Sequence, residues 1–248
     1  MDFWREESMA WYRRASQMFH YPEAGFGAYL KPLIAPEDTV LDLGCGIGSA
    51  TVLMAPWCKR LYALEPDQKA CAYLSRILSE KKIENVDVVC DIWPPKSPMS
   101  ADVIVAMHVM GLTRSVPLIK TLYDAANKGG FIACKCPQPG GREPFYALRR
   151  KLGLPTSDVP CNSGCWIKGV LDSLGAETSC EMVSYDFGQP LDTFDEVVRF
   201  IRWQIRAKET DDPVIRENCD AFYQRTGDGF LVPMRNCSCA ITFQKPGR

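Results

Sequence analysis

The sequence predicts an α/β protein built on a doubly wound, mostly parallel sheet. Two observations carry this expectation. Between Thr39 and Cys136, short apolar runs alternate with segments of helical periodicity, the pattern of a parallel sheet covered on both faces. The first of those runs enters three closely spaced glycines just ahead of a helix. Right-handed crossovers between successive strands make such a sheet doubly wound.

The elements follow in order. Phe3 to Phe19 reads as an amphipathic helix, with Trp4, Trp11, Ala15 and Met18 on one face at steps of seven, four and three. Tyr21-Pro22 ends it, and a second short helix covers Ala24 to Leu33. Thr39 to Leu43 is an apolar run closed by glycines, as a buried strand would be. Ser49 to Ala55 is a helix stopped by Pro56. Arg60 to Leu64 is a second strand, Asp67 to Ser79 a helix and Val86 to Cys90 a third strand. Asp102 to Ala106 is a fourth strand, with a helix near Ser115 to Ala126. Gly129-Gly130 turns into a fifth, Phe131 to Cys136.

Beyond that the pattern loosens. Pro137 to Pro160 is rich in Pro and Gly and reads as a long loop holding a short basic helix. Ser163 to Leu174 is a helix ended by Gly175, and Thr178 to Phe187 a strand. Phe194, Val197, Val198, Ile201 and Ile205 form a helical stripe, and Gly229 to Phe243 reads as a last, long strand. The expected organisation is a helical cover over residues 1–36 and one domain over 37–248, with a helical insertion at about 188–228.

Composition narrows the function. The 248 residues are 46% hydrophobic and 24% charged, which excludes a disordered tail, a collagen-like rod and a disulfide miniprotein. A net charge of -1 gives no global basic field, so binding nucleic acid by charge alone is disfavoured. The acidic start Met1 to Glu7 has no apolar core and does not read as a signal peptide. The weakly charged stretch Thr39 to Cys58 is broken by Gly44, Gly46, Gly48 and Pro56, so no spanning helix is expected. A cytoplasmic protein away from membranes is the expectation.

Twelve cysteines sit mostly inside apolar runs. Free cysteine behaves as a small buried hydrophobe, so mostly free thiols are expected. Cys134-x-Cys136 and Cys237-x-Cys239 each point one way along a strand. A zinc thiolate site there, or at Cys161 and Cys165, is the sharper alternative. None has the C-x-x-C spacing of common structural zinc sites, so no metal is expected.

The most informative stretch is Val40-Leu41-Asp42-Leu43-Gly44-Cys45-Gly46-Ile47-Gly48. Glycines let a turn reach positive φ and let a ligand approach the backbone, and the amides of the following helix face that ligand. A dinucleotide fingerprint would place its third glycine at residue 49, which is Ser49. Its pyrophosphate would also be repelled by Asp42, whereas a cationic ligand gains from that acid.

On these residues the chain resembles the class I S-adenosylmethionine-dependent methyltransferases, whose first motif, acid-x-Gly-x-Gly-x-Gly, is matched by Asp42, Gly44, Gly46 and Gly48. The resemblance covers about Val40 to Cys136. It implies a seven-stranded Rossmann-like sheet with a reversed last strand, and S-adenosyl-L-methionine as cofactor. Asp42 would reach the methionine ammonium, with Cys45 in the same loop. Glu65, followed by Pro66 after the second strand, would accept from both ribose hydroxyls. Asp91 would accept from the adenine amino group, with Ile92 and Trp93 flanking the ring. Met107 would lie near the presented methyl group.

The remaining candidates concern the acceptor. His108 follows a strand end and, with an unperturbed pKa near 6.5, could remove a proton from a nucleophile; the blander reading is a strand-end histidine bonded to backbone. Trp11, Tyr12 and Met110 are expected to shape the acceptor pocket, beside Trp4. Arg199, Arg202 and Arg206, like Arg149-Arg150-Lys151, could hold RNA phosphates but read first as solvated faces. The expected activity is methyl transfer to a small-molecule acceptor through an O, N or S nucleophile. An RNA or protein methyltransferase and a non-catalytic cofactor-binding protein are the rivals, and a homodimer stays open.

Overall fold

The computed structural model describes residues 4–109, 111–112, 115–136, 143–155 and 163–246. At its centre lies a seven-stranded sheet built from β1 (Thr39–Leu43), β2 (Arg60–Leu64), β3 (Val86–Val89), β4 (Ala101–Met107), β5 (Ala126–Lys135), β6 (Glu177–Asp186) and β10 (Arg235–Gln244). The strand order is β3-β2-β1-β4-β5-β10-β6. The first five strands pair in parallel, and β10 runs antiparallel to both β5 and β6. The sheet is thus the expected doubly wound one with a reversed last strand.

Helices cover both faces. α1 (Glu6–Met18), α2 (Glu23–Leu30), α3 (Ser49–Met54) and α4 (Gln68–Glu80) precede β3, while α5 (Val116–Ala125) and α7 (Ser163–Ser173) follow β4. One core cluster joins Leu41, Ile104, Ile132, Ile241 and Phe243 of the sheet to Ile119, Ile167 and Leu171 of α5 and α7. The opposite cluster joins Val40, Leu61, Val105 and Phe131 to Phe26, Met54 and Leu74. Alternation along each strand sends successive side chains to opposite faces, so a strand covered on both sides must be apolar throughout.

A second, three-stranded sheet is formed by β7 (Gln189–Leu191), β8 (Gln224–Thr226) and β9 (Gly229–Val232), in the order β7-β9-β8. α8 (Phe194–Ile205) and α9 (Asp212–Glu217) accompany it, and α6 (Glu143–Lys151) contributes Leu148 to the same core. The stripe Val197, Val198, Ile201 and Ile205 is buried there.

Three expectations need correction. The long last strand is two strands in different sheets, β9 and β10, separated at Pro233. Proline has no N–H to give a ladder, so it marks the point where the chain leaves one sheet for the other. Gly129-Gly130 does not turn into β5 but lies inside it. A side chain on either glycine would run into backbone of the flanking strands, at Phe243 and Ile104 respectively. Finally, Cys136 and Cys237 are not free thiols: β5 and β10 bring their Cα atoms to 5.5 Å and their sulfurs are joined in a disulfide. Cys134 faces Cys239 two pairs further along the ladder. Among the described residues no group of three or more His, Cys, Asp or Glu is placed to hold a metal ion; Cys161 lies outside them.

One smaller difference concerns α1. Trp11 and Ala15 are buried, but Met18 is 51% exposed because the chain turns away after it. No helix among the described residues is long and apolar enough to cross a membrane.

Candidate active site

The strand order reverses between β1 and β4, which are neighbours although β2 and β3 lie between them in the chain. In open α/β sheets that reversal opens a crevice at the carboxyl ends of the strands. The glycine loop leaves β1 at this place and His108 leaves β4 beside it.

The loop is held by backbone and by one acid. Gly44 and Cys45 donate to the Leu64 carbonyl at 2.8 and 3.1 Å. Gly46 donates to Glu65 Oε2 at 3.0 Å, and Asp67 donates to Glu65 Oε1 at 3.1 Å. Burial raises the Glu65 pKa, against the pull of those two amides. Gly46 and Gly48 have φ of 55° and 87°, the left-handed region. A Cβ on Gly46 would come within 2.7 Å of the Trp4 ring, and one on Gly48 would run into Leu74. The loop therefore needs glycine for conformation and for space.

Asp42 is 1% exposed and accepts from the Thr51 hydroxyl at 2.6 Å. Burial pushes its pKa up to about 6, opposed by the Thr51 bond and helped by the charge of Glu65. A carboxylate in that state gains from a nearby cation.

The residues expected around the base lie further out. Pro66 and Ile92 are exposed, Ile92 at 65%, and Asp91 is half-buried. Asp91 accepts from the amides of Ile92 at 2.8 Å and Lys96 at 3.0 Å. The Lys96 amide, then the Ile92 amide, holds its carboxyl below the usual range. Trp93 turns inward, packing on the core with its indole N–H 3.4 Å from the Leu118 carbonyl.

His108 has φ of 60°, uncommon for a residue with a side chain. Its amide donates to the Ala133 carbonyl at 2.7 Å. Nε2 lies 3.3 Å from the Tyr185 hydroxyl, which in turn lies 3.2 Å from Ser238 Oγ. Nδ1 is buried without a hydrogen-bond partner. Burial, aided by the charge of Lys135, lowers the His108 pKa to about 4, so the imidazole is neutral near pH 7.

An aromatic cluster surrounds this group. Tyr21 stacks on Tyr185 with centroids 5.5 Å apart, and Phe26 stands 6.1 Å from the His108 ring. Tyr12 meets Tyr21 edge-on at 6.2 Å and Trp4 at 5.6 Å. Met107 is half-buried on the same face of the sheet. Trp11, expected at this site, is elsewhere: its indole N–H donates to Glu196 at 2.8 Å and its ring packs on Phe200 and Trp203. Successive positions on a helix point about 100° apart, so Tyr12 faces the sheet while Trp11 faces the second sheet and α8. Met110 lies outside the described residues.

The sequence reading missed Thr51, Tyr21, Tyr185 and Ser238. Thr51 carried a weak signal, one helical turn into the segment after the loop. The other three are brought together by tertiary structure: the pairing of β6 with β10 sets Tyr185 beside Ser238, and Tyr21, between α1 and α2, stacks on Tyr185.

Residues 13–187 match the family described as a methyltransferase domain. The chain belongs to the class I S-adenosylmethionine-dependent methyltransferases. S-adenosylmethionine is the cofactor of that family. Among curated relatives, 55 residues are 34% identical to the Methanococcus vannielii protein named "Probable cobalt-precorrin-6B C(15)-methyltransferase (decarboxylating)", over 22% of this chain and 31% of that one. Over 77 residues the chain is 27% identical to protein-L-isoaspartate O-methyltransferase 1 of Polaromonas sp., covering 29% of this chain and 33% of that one. The matched part thus spans about a third of the length of these curated relatives. Among solved structures, YcgJ of Bacillus subtilis aligns with a TM-score of 0.57 at 15% identity, over 90% of this chain and 98% of that one. Magnesium protoporphyrin IX methyltransferase of Synechocystis PCC 6803 with bound SAH aligns at 0.53 and 12% identity, over 94% and 82%. At these identities the structures speak for the fold of this methyltransferase.

Proposed function

We propose that this methyltransferase transfers the methyl group of S-adenosylmethionine to a small-molecule acceptor. The observation that carries the reading is Asp42, an acid buried ahead of the left-handed glycine loop with its pKa raised to about 6. Such a group suits a ligand that brings positive charge, which S-adenosylmethionine does and a dinucleotide pyrophosphate does not. The residues present fit the cofactor. Asp42 would hold the methionine ammonium, Gly44, Cys45, Gly46 and Gly48 would line its path, and Glu65 would meet the ribose. Asp91, with Pro66 and Ile92 nearby, would serve the base. Asp91 already accepts two backbone amides, so it has less capacity to spare than Glu65.

When bound, the cofactor supplies a sulfonium methyl for in-line displacement by the acceptor's nucleophile. The chain's own contribution is positioning, which can be worth about 7–11 kcal/mol. Met107 and His108 stand at the end of β4, next to the glycine loop across the β1–β4 pair. His108, neutral near pH 7 and oriented by Tyr185, would accept a proton from an acceptor that starts protonated. Tyr12 would form part of the acceptor wall.

Two features favour a small acceptor over RNA. α1 and α2 bring Trp4, Tyr12, Tyr21 and Phe26 over the strand ends, leaving aromatic walls rather than an open basic track. The basic rows are also engaged. Arg199 pairs with Glu7, Arg202 with Asp212, and Arg149 donates to the carbonyls of Ile205 and Pro155.

The test is a reaction with methyl-labelled donor and fractionated cell extract. Label is expected in the low-mass fraction. Label confined to RNA or protein would overturn the acceptor class. Donor binding with no S-adenosylhomocysteine released in any fraction would overturn the activity.

A further inference from the structure

Cys71 and Cys90 come together beside the acid that holds the glycine loop. Cys71, on α4, is buried, and its sulfur lies 3.1 Å from the carbonyl of Glu65. Cys90, just past β3, is exposed, and its sulfur lies 3.9 Å from the carbonyl of Pro66. The two thiols are also in side-chain contact with each other. They therefore grip adjacent carbonyls of one short segment from two different elements. That segment starts with Glu65, whose carboxylate receives the Gly46 amide.

We infer that Cys71 and Cys90 form a thiol-modification site that reacts with low-molecular-weight disulfides and, when cross-linked, disables the donor site. The exposed Cys90 attacks first. Its thiolate displaces one thiol from the disulfide, leaving a mixed disulfide on Cys90. Cys71 then displaces the second thiol. The net change is two protein thiols oxidised to one disulfide while one external disulfide is reduced to two thiols, with protons balanced. The second step is the slow one near neutrality, because burial raises the Cys71 pKa to about 12. It speeds up with pH as more Cys71 ionises.

The consequence for the donor follows from geometry. A disulfide needs sulfurs about 2.05 Å apart with defined dihedrals. Cys71 must leave the Glu65 carbonyl and Cys90 the Pro66 carbonyl to reach that distance. The segment between them shifts, and with it the Glu65 carboxylate and the Gly46 amide. Only this consequence rests on the donor-site reading above; the cross-link does not.

The experiment uses the full chain. It is incubated with glutathione disulfide at alkaline pH, alkylated, and mapped by peptide mass spectrometry. S-adenosylhomocysteine affinity is measured by calorimetry before oxidation, after it, and after dithiothreitol. A Cys71–Cys90 peptide pair is expected, together with a fall in affinity of at least about tenfold that dithiothreitol reverses. Cys90→Ser should keep the reduced-state affinity and resist the oxidant. Cys71→Ser should stop at a glutathione adduct on Cys90 and lose less affinity than the cross-linked chain. Cys71 and Cys90 still free after other thiols have reacted, or an equal loss from the adduct alone, would overturn the inference. A cross-linked chain with undiminished affinity would remove the control of the donor site. A reduced chain that binds no donor would instead sink the donor-site reading, while the peptide map would still judge the cross-link.

Discussion

The Gly46 amide donates to Glu65 Oε2 at 3.0 Å, so the loop after the first strand and the acid after the second form one unit. Glu65 also accepts from Asp67, which N-caps α4 through its own carboxylate. Replacing Glu65 by Ala strands two backbone amides, each worth about 1–3 kcal/mol when left buried and unpaired. Glu65→Ala should weaken S-adenosylhomocysteine binding by about 10–100-fold by calorimetry, and Glu65→Gln by less. Equal affinity in Glu65→Ala and the natural chain would remove Glu65 from the donor site.

Donor affinity should depend on pH through Asp42. Its folded pKa is raised to about 6 from 3.8. The group's contribution to the stability of the free protein is thus fully present below pH 3.8 and lost as pH rises through 6. A cationic donor reverses that preference by favouring the carboxylate. Affinity should therefore be level above pH 7 and fall by up to about tenfold per pH unit below 6. Glu65, also raised, adds to the slope. Calorimetry across pH on the natural chain and Asp42→Asn isolates the Asp42 share: the variant should bind weakly with a flatter profile.

His108 should show its burial in solution. Its pKa is lowered to about 4 from 6.5. The stability it contributes is present above pH 6.5 and lost as pH falls through 4. Two-dimensional NMR of the imidazole should find it neutral at pH 6, where an exposed histidine is largely charged. With the true acceptor, His108→Ala should lower kcat while leaving donor affinity within about twofold, a change under 0.5 kcal/mol. Unchanged turnover would leave His108 a purely structural residue.

Tyr185 should act through His108. Its hydroxyl is the group within hydrogen-bond distance of Nε2, and it also reaches Ser238. Tyr185→Phe leaves both without that partner, at a cost of about 1–3 kcal/mol in stability. Denaturant titration reads this cost. The histidine NMR signals should also shift towards mixed tautomers, which loss of packing alone would not produce.

Gly48→Ala should destabilise the fold at the start of α3. The backbone there is left-handed and a Cβ would meet Leu74. The expected loss is about 1–3 kcal/mol, a Tm drop of several degrees at roughly 2–4 °C per kcal/mol for a chain of this size. An unchanged melting curve would mean that the loop relaxes to accept a side chain.

Much of the candidate site was legible because its signals are local. Asp42, Gly44, Gly46 and Gly48 sit within one strand-and-turn, and Glu65 follows the next strand directly. A left-handed turn demands glycine whatever packs on it, so the demand is written at the turn itself. The apolar runs that became β1 to β5 were readable for the same reason, since a strand covered on both faces must be apolar along its whole length.

What the sequence could not decide depends on which strands are neighbours. Thr51 reaches Asp42 through a helical turn, but Tyr185 reaches His108 from β6 across the intervening strands β5 and β10. Trp11 faces α8 rather than the strand ends because the second sheet packs there. The Cys136–Cys237 bond requires β10 to lie antiparallel against β5 in one register, and Gly129-Gly130 sits inside β5 because β4 and β10 close on both sides of it. By itself the sequence determined the succession of β1 to β5 along the chain and the acid-first loop, since backbone conformation and periodicity are short-range properties, and the family resemblance of that loop implied the cofactor class. The tertiary structure alone decided which aromatic rings, thiols and hydroxyls share one space, since those contacts join residues far apart in the chain.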